Sequence, residues 1–593
     1  MEKQIGFKSN IAYFGRQQNR AREAGGPRPQ GDGRGGWVRS AVLRLLVLWA
    51  VAFLFLPAAI AGKEAVASAH PLATEAGRAV LAQGGNAFDA AVAVAAALAV
   101  VEPYSSGLGG GGFWLLHRAR DGHTVMVDAR ETAPLAARED MYLDAGGKPV
   151  PGASLKGPRA AAIPGTPAAL VWVAERYGRL PLSRALEAAI RYAEEGFPVD
   201  ERFARIAAEK AEWLRADPTA ASIFLRDGTA PRSGERLAQP ALAATLERIA
   251  RDGHDGFYAG PVAEALVKAV RAGGGLWTLE DLRRYRVVER EPVRIRYRGA
   301  TVTTAALPSA GGLTLAQALQ ILERFPLERL AEPDRAHVVV EALRRAYQDR
   351  ARFMGDPDFV AGPWERLKSR DYALERARSI RLHRATPSAA LPGLEVGEGV
   401  HTTHFSIVDR EGNRVAATLT INTLFGSGFV AGPTGVLLNN EMDDFAVAPG
   451  VPNVYGLAAS RANAIAPGKR SLSSMSPTFV EDGKGVLVVG TPGGSRIISM
   501  VLLALLHYLG EEEGDPARIV AAPRYHHQYL PDRIEIEPGA FSAAWRAALE
   551  AKGHTLHEAS RPWGNMQAVF VNRATGEAVA ASDPRGVGGR AWY

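Results

Sequence analysis

Residues 399–429 read GVHTTHFSIVDREGNRVAATLTINTLFGSGF, with a threonine doublet, Thr402-Thr403, heading a strand-like run. An internal threonine hydroxyl is a poor nucleophile, because nothing beside it in sequence takes its proton. A threonine with a free α-amine differs: that amine titrates near about 7.7–8 and serves as its own general base. The chemistry requires the His401–Thr402 bond to break first. A threonine at a strand start, after a polar, Pro-containing connector near residues 380–400, is the arrangement such a cut needs. Taken alone the doublet carries little, since threonine is common in strands.

Other stretches offer chemistry on weaker terms. GLGGGG at 107–112 fits G-x-G-x-x-G, but a helical pattern precedes it and FWLLH follows, the reverse of a dinucleotide site. A close-packing turn is expected there. HTTH (His401, His404) and YHHQY (His526, His527) raise a metal question. The first pair lies three apart in a β stretch and the second would point in opposite directions, so structural histidines and no metal are expected. No G-x-S-x-G elbow occurs. RSLSSMSPT at 470–478 reads as a hydrogen-bonded turn whose paired hydroxyls could also hold a carboxylate.

The elements that must position these groups follow from periodicity. Leu72–Val101 is helical and almost wholly apolar, broken at Gly84-Gly85-Asn86 into two helices. GGFWLLHR with TVMVDAR, and VRIRYRGATVTTAA, read as strand pairs; residues 165–275 are mainly helical, with further helices near 312–324 and 333–352. After residue 401 strands dominate: Thr403–Asp409, Val415–Thr420, Gly435–Leu438, Thr478–Glu481 and Val486–Val489, then a helix near 495–510 and strands in MQAVFVNR and AVAAS. Helix-rich then strand-rich predicts an α+β chain with strands stacked between helical layers.

Composition narrows the function. The 593 residues include no cysteine, which excludes disulfides, a thiol nucleophile and Cys-ligated metals. Residues 1–44 carry nine of the 70 Lys/Arg and three of the 63 Asp/Glu, leaving the other 549 residues at 61 against 60. The net charge of +7 therefore sits on a tail, and a nucleic-acid partner is not expected. Leu45–Ala61 is an apolar run of 17 residues with a basic flank and a small-x-small end. It predicts an export signal, with an uncleaved anchor as the alternative. Either places the rest outside the cytoplasm, in the periplasm or an equivalent space.

TTHFSIVDREGN, NTLFGSG, GVLLNNEMDDF, PGVPNVYGLA, KRSLSSMSPT, GTPGGSR and APRYHHQYLPD, with HPLATEAGRAVLAQGGNAFDAAVA, EPYSSGLGGGGF and VDARETAP before them, resemble the γ-glutamyltransferase (γ-glutamyltranspeptidase) family over about residues 66–593. The resemblance implies an αββα four-layer sandwich of the N-terminal-nucleophile hydrolase type. It implies a precursor that cuts itself after residues 1–61 (tail and signal or anchor) and 62–401 (large subunit), freeing a small subunit of residues 402–593. Thr402 would attack the γ-carbonyl of a compound such as glutathione, and the ester would pass to water or to an amino acid or peptide. By the same resemblance Thr420 steadies the nucleophile, and Gly493 and Gly494 supply oxyanion N–H groups. Arg130, Ser473 and Ser474 hold the α-carboxylate, Asn422, Glu441 and Asp444 the α-ammonium, and Tyr455 belongs to a lid. No cofactor is implied. A cephalosporin (glutaryl) acylase is the alternative within the superfamily, and an uncut scaffold protein the alternative outside enzymes.

Overall fold

A computed structural model describes residues 63–391, 402–447, 454, 460–510 and 514–592. Leu45–Ala61, His401 and Tyr455 therefore lie outside the described residues. No helix among the described residues is long and apolar enough to cross a membrane.

Among the described residues, thirteen strands build two wholly antiparallel sheets. They are β1 Ala65–Ser68, β2 Gly111–Arg118, β3 His123–Ala129, β4 Val288–Arg290, β5 Val293–Tyr297, β6 Ala300–Thr304, β7 Thr403–Val408, β8 Arg414–Thr420, β9 Thr478–Glu481, β10 Gly485–Gly490, β11 Gln567–Asn572, β12 Ala578–Ser582 and β13 Gly589–Trp592. The first sheet runs β13-β1-β7-β8-β2-β3-β4, the second β12-β11-β10-β9-β6-β5.

Side chains alternate across a strand, so each residue of β7 chooses a face. Phe405 and Ile407 join a core with Trp114, Leu419 and the helix Ala87–Val101, every residue of which is buried. His404 and Ser406 face the other way, onto the second sheet: the His404 ring lies against Gly490, and the Ser406 hydroxyl donates to the Gln567 carbonyl at 3.1 Å. Helices Ala310–Leu322 and Ile497–Gly510 pack with the second sheet in another apolar cluster. The helix pair expected across Leu72–Val101 is Pro71–Ala82 and Ala87–Val101, the second opened by an Asn86/Asp89 capping box.

Two expectations need revision. Gly435–Leu438 forms no strand; it makes only isolated bridges, Gly109 with Leu438 and Val430 with Leu437. Gly435, at φ 68°, takes a left-handed turn that ends any extended run. The 380–400 connector is not loose throughout. Within it Thr386 N–H donates to Glu341 at 3.0 Å and Ser388 N–H to Asp532 at 2.6 Å.

His404 and His526 are both buried and hydrogen-bonded within the protein. Nδ1 of His404 meets the Thr418 hydroxyl at 2.8 Å, and Nδ1 of His526 meets that of Ser499 at 2.7 Å. Burial pushes both imidazoles down to about 3, so each stays neutral in the folded protein. A depressed folded pKa means stability that is present above the unfolded value and lost as pH falls toward the folded one. The His526→Gln variant is expected to start less stable at pH 7 but to lose less between pH 6 and 5, by about 1.4 kcal/mol per pH unit, one proton's worth. Parallel denaturation curves for the two proteins across that range would contradict this.

Candidate functional site

Thr402 directly precedes β7, and the alternation that turns His404 inward turns Thr402 the same way. Thr403 takes the opposite face, where its hydroxyl donates to the buried Glu102 carboxylate at 2.6 Å. The doublet thus splits, one threonine per face. In the β7–β8 ladder Thr403 pairs with Leu419 and His404 with Thr418. Continuing that register by one residue sets Thr402 opposite Thr420, on the same face.

Two loops close on this point. The Thr402 hydroxyl accepts the Gly493 N–H at 3.1 Å. Gly493 has φ 149°, and a Cβ there would lie 2.3 Å from the Met500 methyl, so glycine is required. Gly493 leads into the turn Gly494–Arg496 and then the helix Ile497–Gly510, an end rich in unpaired N–H groups. On the other side, the GLGGGG loop lies flat against β8: a Cβ at Gly110 would come 1.9 Å from the Thr420 carbonyl oxygen. The Thr420 hydroxyl accepts the Asn422 N–H at 2.7 Å.

A small, narrow cavity opens on Thr402, lined by Thr420, Arg130, Arg350, Glu441, Asp444, Ser473, Ser474 and Gly494 among others. Arg130, at the end of β3, is wholly buried. Its two terminal nitrogens donate to Glu441 and Asp444, its Nε to the Ser471 carbonyl at 3.2 Å. Burial disfavours the guanidinium's charge, but Glu441, Asp444 and Glu131 outweigh that and raise its pKa. Burial likewise raises Glu441 and Asp444 against the pull of Arg130. The cavity therefore offers both signs of charge to a small zwitterion.

The structure brings together Thr402, Thr420, Arg130, Glu441, Asp444, Ser473, Ser474 and Gly494 around one cavity, with Gly493 on the far side of Thr402. Asn422 stands behind the wall, its Nδ2 donating to the Asn440 carbonyl at 2.9 Å.

Sequence reasoning missed Arg350 and Glu131. Arg350 is buried, donates to the Ser474 hydroxyl at 3.1 Å, and is held down to about 10 by burial. No carboxylate among the described residues lies within ion-pair distance of it. The signal was available: on the helix Glu332–Phe353, Arg350 follows Val339, Leu343 and Ala346 along one apolar stripe. Glu131 lies 3.6 Å from Arg130, and burial pushes its carboxyl up to about 7.

His337, Glu341 and His554 form a buried group of metal-ligand type. Its atoms are already engaged: the two imidazoles meet at 2.7 Å, and Glu341 pairs with Arg344 and Arg345 at 3.2 and 2.7 Å.

A hydroxyl with an N–H donor beside it, at the mouth of a charged pocket, is equipped for acyl transfer. Residues 73–593 match the family described as Gamma-glutamyltranspeptidase, and the chain belongs to that family. It is 44% identical over 530 residues to the glutathione hydrolase proenzyme of Escherichia coli K12, covering 88% of this chain and 90% of that protein. It is 38% identical over 517 residues to the acylase ACY 1 proenzyme of Pseudomonas sp. V22, covering 86% and 89%. Among solved structures, cephalosporin acylase from Bacillus halodurans superposes with TM-score 0.79 at 28% identity, covering 90% of this chain and 96% of that one.

Arg350 carries a checkable consequence. Replacing it with methionine removes a buried, unpaired charge, so Tm is expected to hold or rise. Affinity for a carboxylate-bearing ligand should fall by about tenfold as Ser474 loses its donor. Thermal melts beside ligand titrations decide it; a lowered Tm with unchanged affinity would make Arg350 a structural prop only.

Proposed function

We propose that this protein is a self-processing γ-glutamyltransferase and glutathione hydrolase of the N-terminal-nucleophile type, with an αββα sandwich and Thr402 as its nucleophile. The observation that carries the reading is the Gly493 N–H, 3.1 Å from the Thr402 hydroxyl at the mouth of the charged cavity.

In the precursor the Thr402 nitrogen is an amide and has no basic lone pair. Cleavage of His401–Thr402 turns it into an amine that can take the hydroxyl proton as Oγ attacks the γ-carbonyl. Negative charge then grows on the carbonyl oxygen, where the N–H groups of Gly493 and Gly494 are positioned to meet it. The amine returns its proton to the departing nitrogen, and a γ-glutamyl ester remains on Thr402. Water, or the amine of an amino acid or peptide, attacks that ester; its proton passes back through the α-amine to Oγ. Thr420 steadies the hydroxyl from the neighbouring strand.

The glutamyl head is read as follows. Glu441 and Asp444 receive the α-ammonium, with Asn422 bracing their turn. Arg130, Ser473 and Ser474 take the α-carboxylate, with Arg350 holding Ser474. Arg130 is itself bonded to the two carboxylates, so a bound zwitterion exchanges its own charges for part of that pairing. A glutaryl substrate, as for a cephalosporin acylase, has no ammonium to offer Glu441 and Asp444, which favours the glutamyl reading despite the likeness to acylases.

Residues 62–401 and 402–593 are the proposed large and small subunits, with Tyr455 in a lid and residues 45–61 as export signal or anchor for an extracytoplasmic enzyme. Neither cofactor nor nucleic acid enters the scheme. Thr402→Ala is expected to abolish both processing and γ-glutamyl hydrolysis. N-terminal sequencing of the small fragment checks it: wild type should begin Thr-Thr-His-Phe, and normal cutting of the variant would falsify the mechanism.

A further inference from the structure

Thr402 separates two cavities. The one that holds the charged pocket lies on one side; on the other, behind Gly493, is an open cavity of about 340 Å³. Its described lining contains five arginines, Arg202, Arg205, Arg496, Arg561 and Arg585, and no aspartate or glutamate. Four of the five are ion-paired, to three glutamates. Arg205 and Arg561 share Glu209, each at 3.1 Å; Arg496 is bound by Glu535 at 2.6 Å, and Arg585 by Glu537 at 2.7 Å.

Arg202 is the exception. It makes no ion pair among the described residues, and its buried Nε has no hydrogen-bond partner there. Its charge acts, without contact, on two acids that hold other hydrogen bonds, the buried Glu102 and the half-buried Asp200. Glu102 accepts from Thr403 at 2.6 Å, and Asp200 caps the helix Glu201–Glu209 through the Phe203 N–H at 2.7 Å while lying 3.4 Å from His70. Arg202 and Arg205 stand three apart on that helix and so share a face. A guanidinium with no direct ion pair among the described residues, on a cavity that Thr402 also lines, fits one ligand chemistry best, a carboxylate gripped by two parallel N–H groups.

We propose that this cavity receives the amine that leaves or enters Thr402, and that Arg202 selects amines bearing a free carboxylate, as amino acids and short peptides do. The proposal rests on the acyl-transfer reading above. With the glutamyl head in the smaller cavity, the bond to be broken lies at Thr402 and the remainder of the donor has the arginine-lined side to enter. In transfer, the acceptor nitrogen attacks the ester carbonyl, the C–Oγ bond breaks, and the proton the amine loses ends on Thr402 Oγ. The acceptor's carboxylate meanwhile meets Arg202. An acceptor whose terminus is capped as an amide leaves that guanidinium unmatched.

The test uses processed enzyme and γ-glutamyl anilide as donor, with glycylglycine or glycylglycinamide as acceptor. Transfer product is quantified for wild type, Arg202→Gln and Arg202→Lys. Wild type is expected to favour the free carboxylate by about tenfold in kcat/KM, the worth of one charged hydrogen-bonded contact. In Arg202→Gln that ratio should fall to within about twofold of unity, and Arg202→Lys should restore part of it. A wild-type ratio near one, a ratio unchanged in Arg202→Gln, or an equal loss with both acceptors overturns the subsite. Aniline release alongside such a result leaves the acyl-transfer reading standing; no aniline release from wild type removes both.

Discussion

The pairing of β7 with β8 is the interaction on which the site depends. Its register, Thr403 against Leu419, determines which threonine faces the second sheet and which faces Glu102. A slip of one residue would exchange the faces and send Thr402 away from Gly493. That register is held from both sides. Phe405 and Ile407 bury against the helical layer, while on the other face His404 bonds Thr418 of the neighbouring strand and Ser406 donates to Gln567 of the second sheet. Polar residues inside a core specify one alignment, because any other strands their hydrogen bonds.

Beside this pair lies a concentration of buried charge. Isolated, a buried guanidinium is expensive; Arg130 is tolerable because Glu441 and Asp444 reach it across 311 and 314 residues of chain. Those two acids in turn need Arg130. The result is a turn at 441–444 pinned to the end of β3, with its charges facing a cavity rather than solvent. Such a cluster adds little net stability. In the proposed reading a ligand of matching charges substitutes for the internal pairing.

The topology also bears on the proposed cut. The first sheet alternates across residue 401: β1 lies between β13 and β7, and β8 beside β2. Thr403 with Glu102, Arg344 with Asp532, and Arg130 with Glu441 tie residues on either side of the connector. Breaking one peptide bond would therefore free an amine at Thr402 without releasing either fragment. Two interleaved chains would share one core, and the new terminus would stay where the strand register put it.

Much of this was legible in the sequence. Apolar periodicity located the helices around Leu72–Val101 and the strands flanking Thr402, because those patterns report burial on one face and need only local spacing. The threonine doublet, the paired glycines and the acid-rich turn were identifiable by residue type and by family resemblance. Gly435–Leu438 misled, since an apolar run reads as a strand whether or not a partner strand exists for it. Arg350 and Asn422 show the other limit. Whether a polar side chain lines a cavity or backs its wall is decided by which distant segments pack there. The same holds for the arginine-lined cavity, whose residues come from a helix near 202 and from segments near 496, 561 and 585. The sequence by itself determined the elements, the family and the chemical groups available; the tertiary structure alone decided which of those groups meet, and which charge is left without a partner, because both depend on contacts between residues hundreds of positions apart.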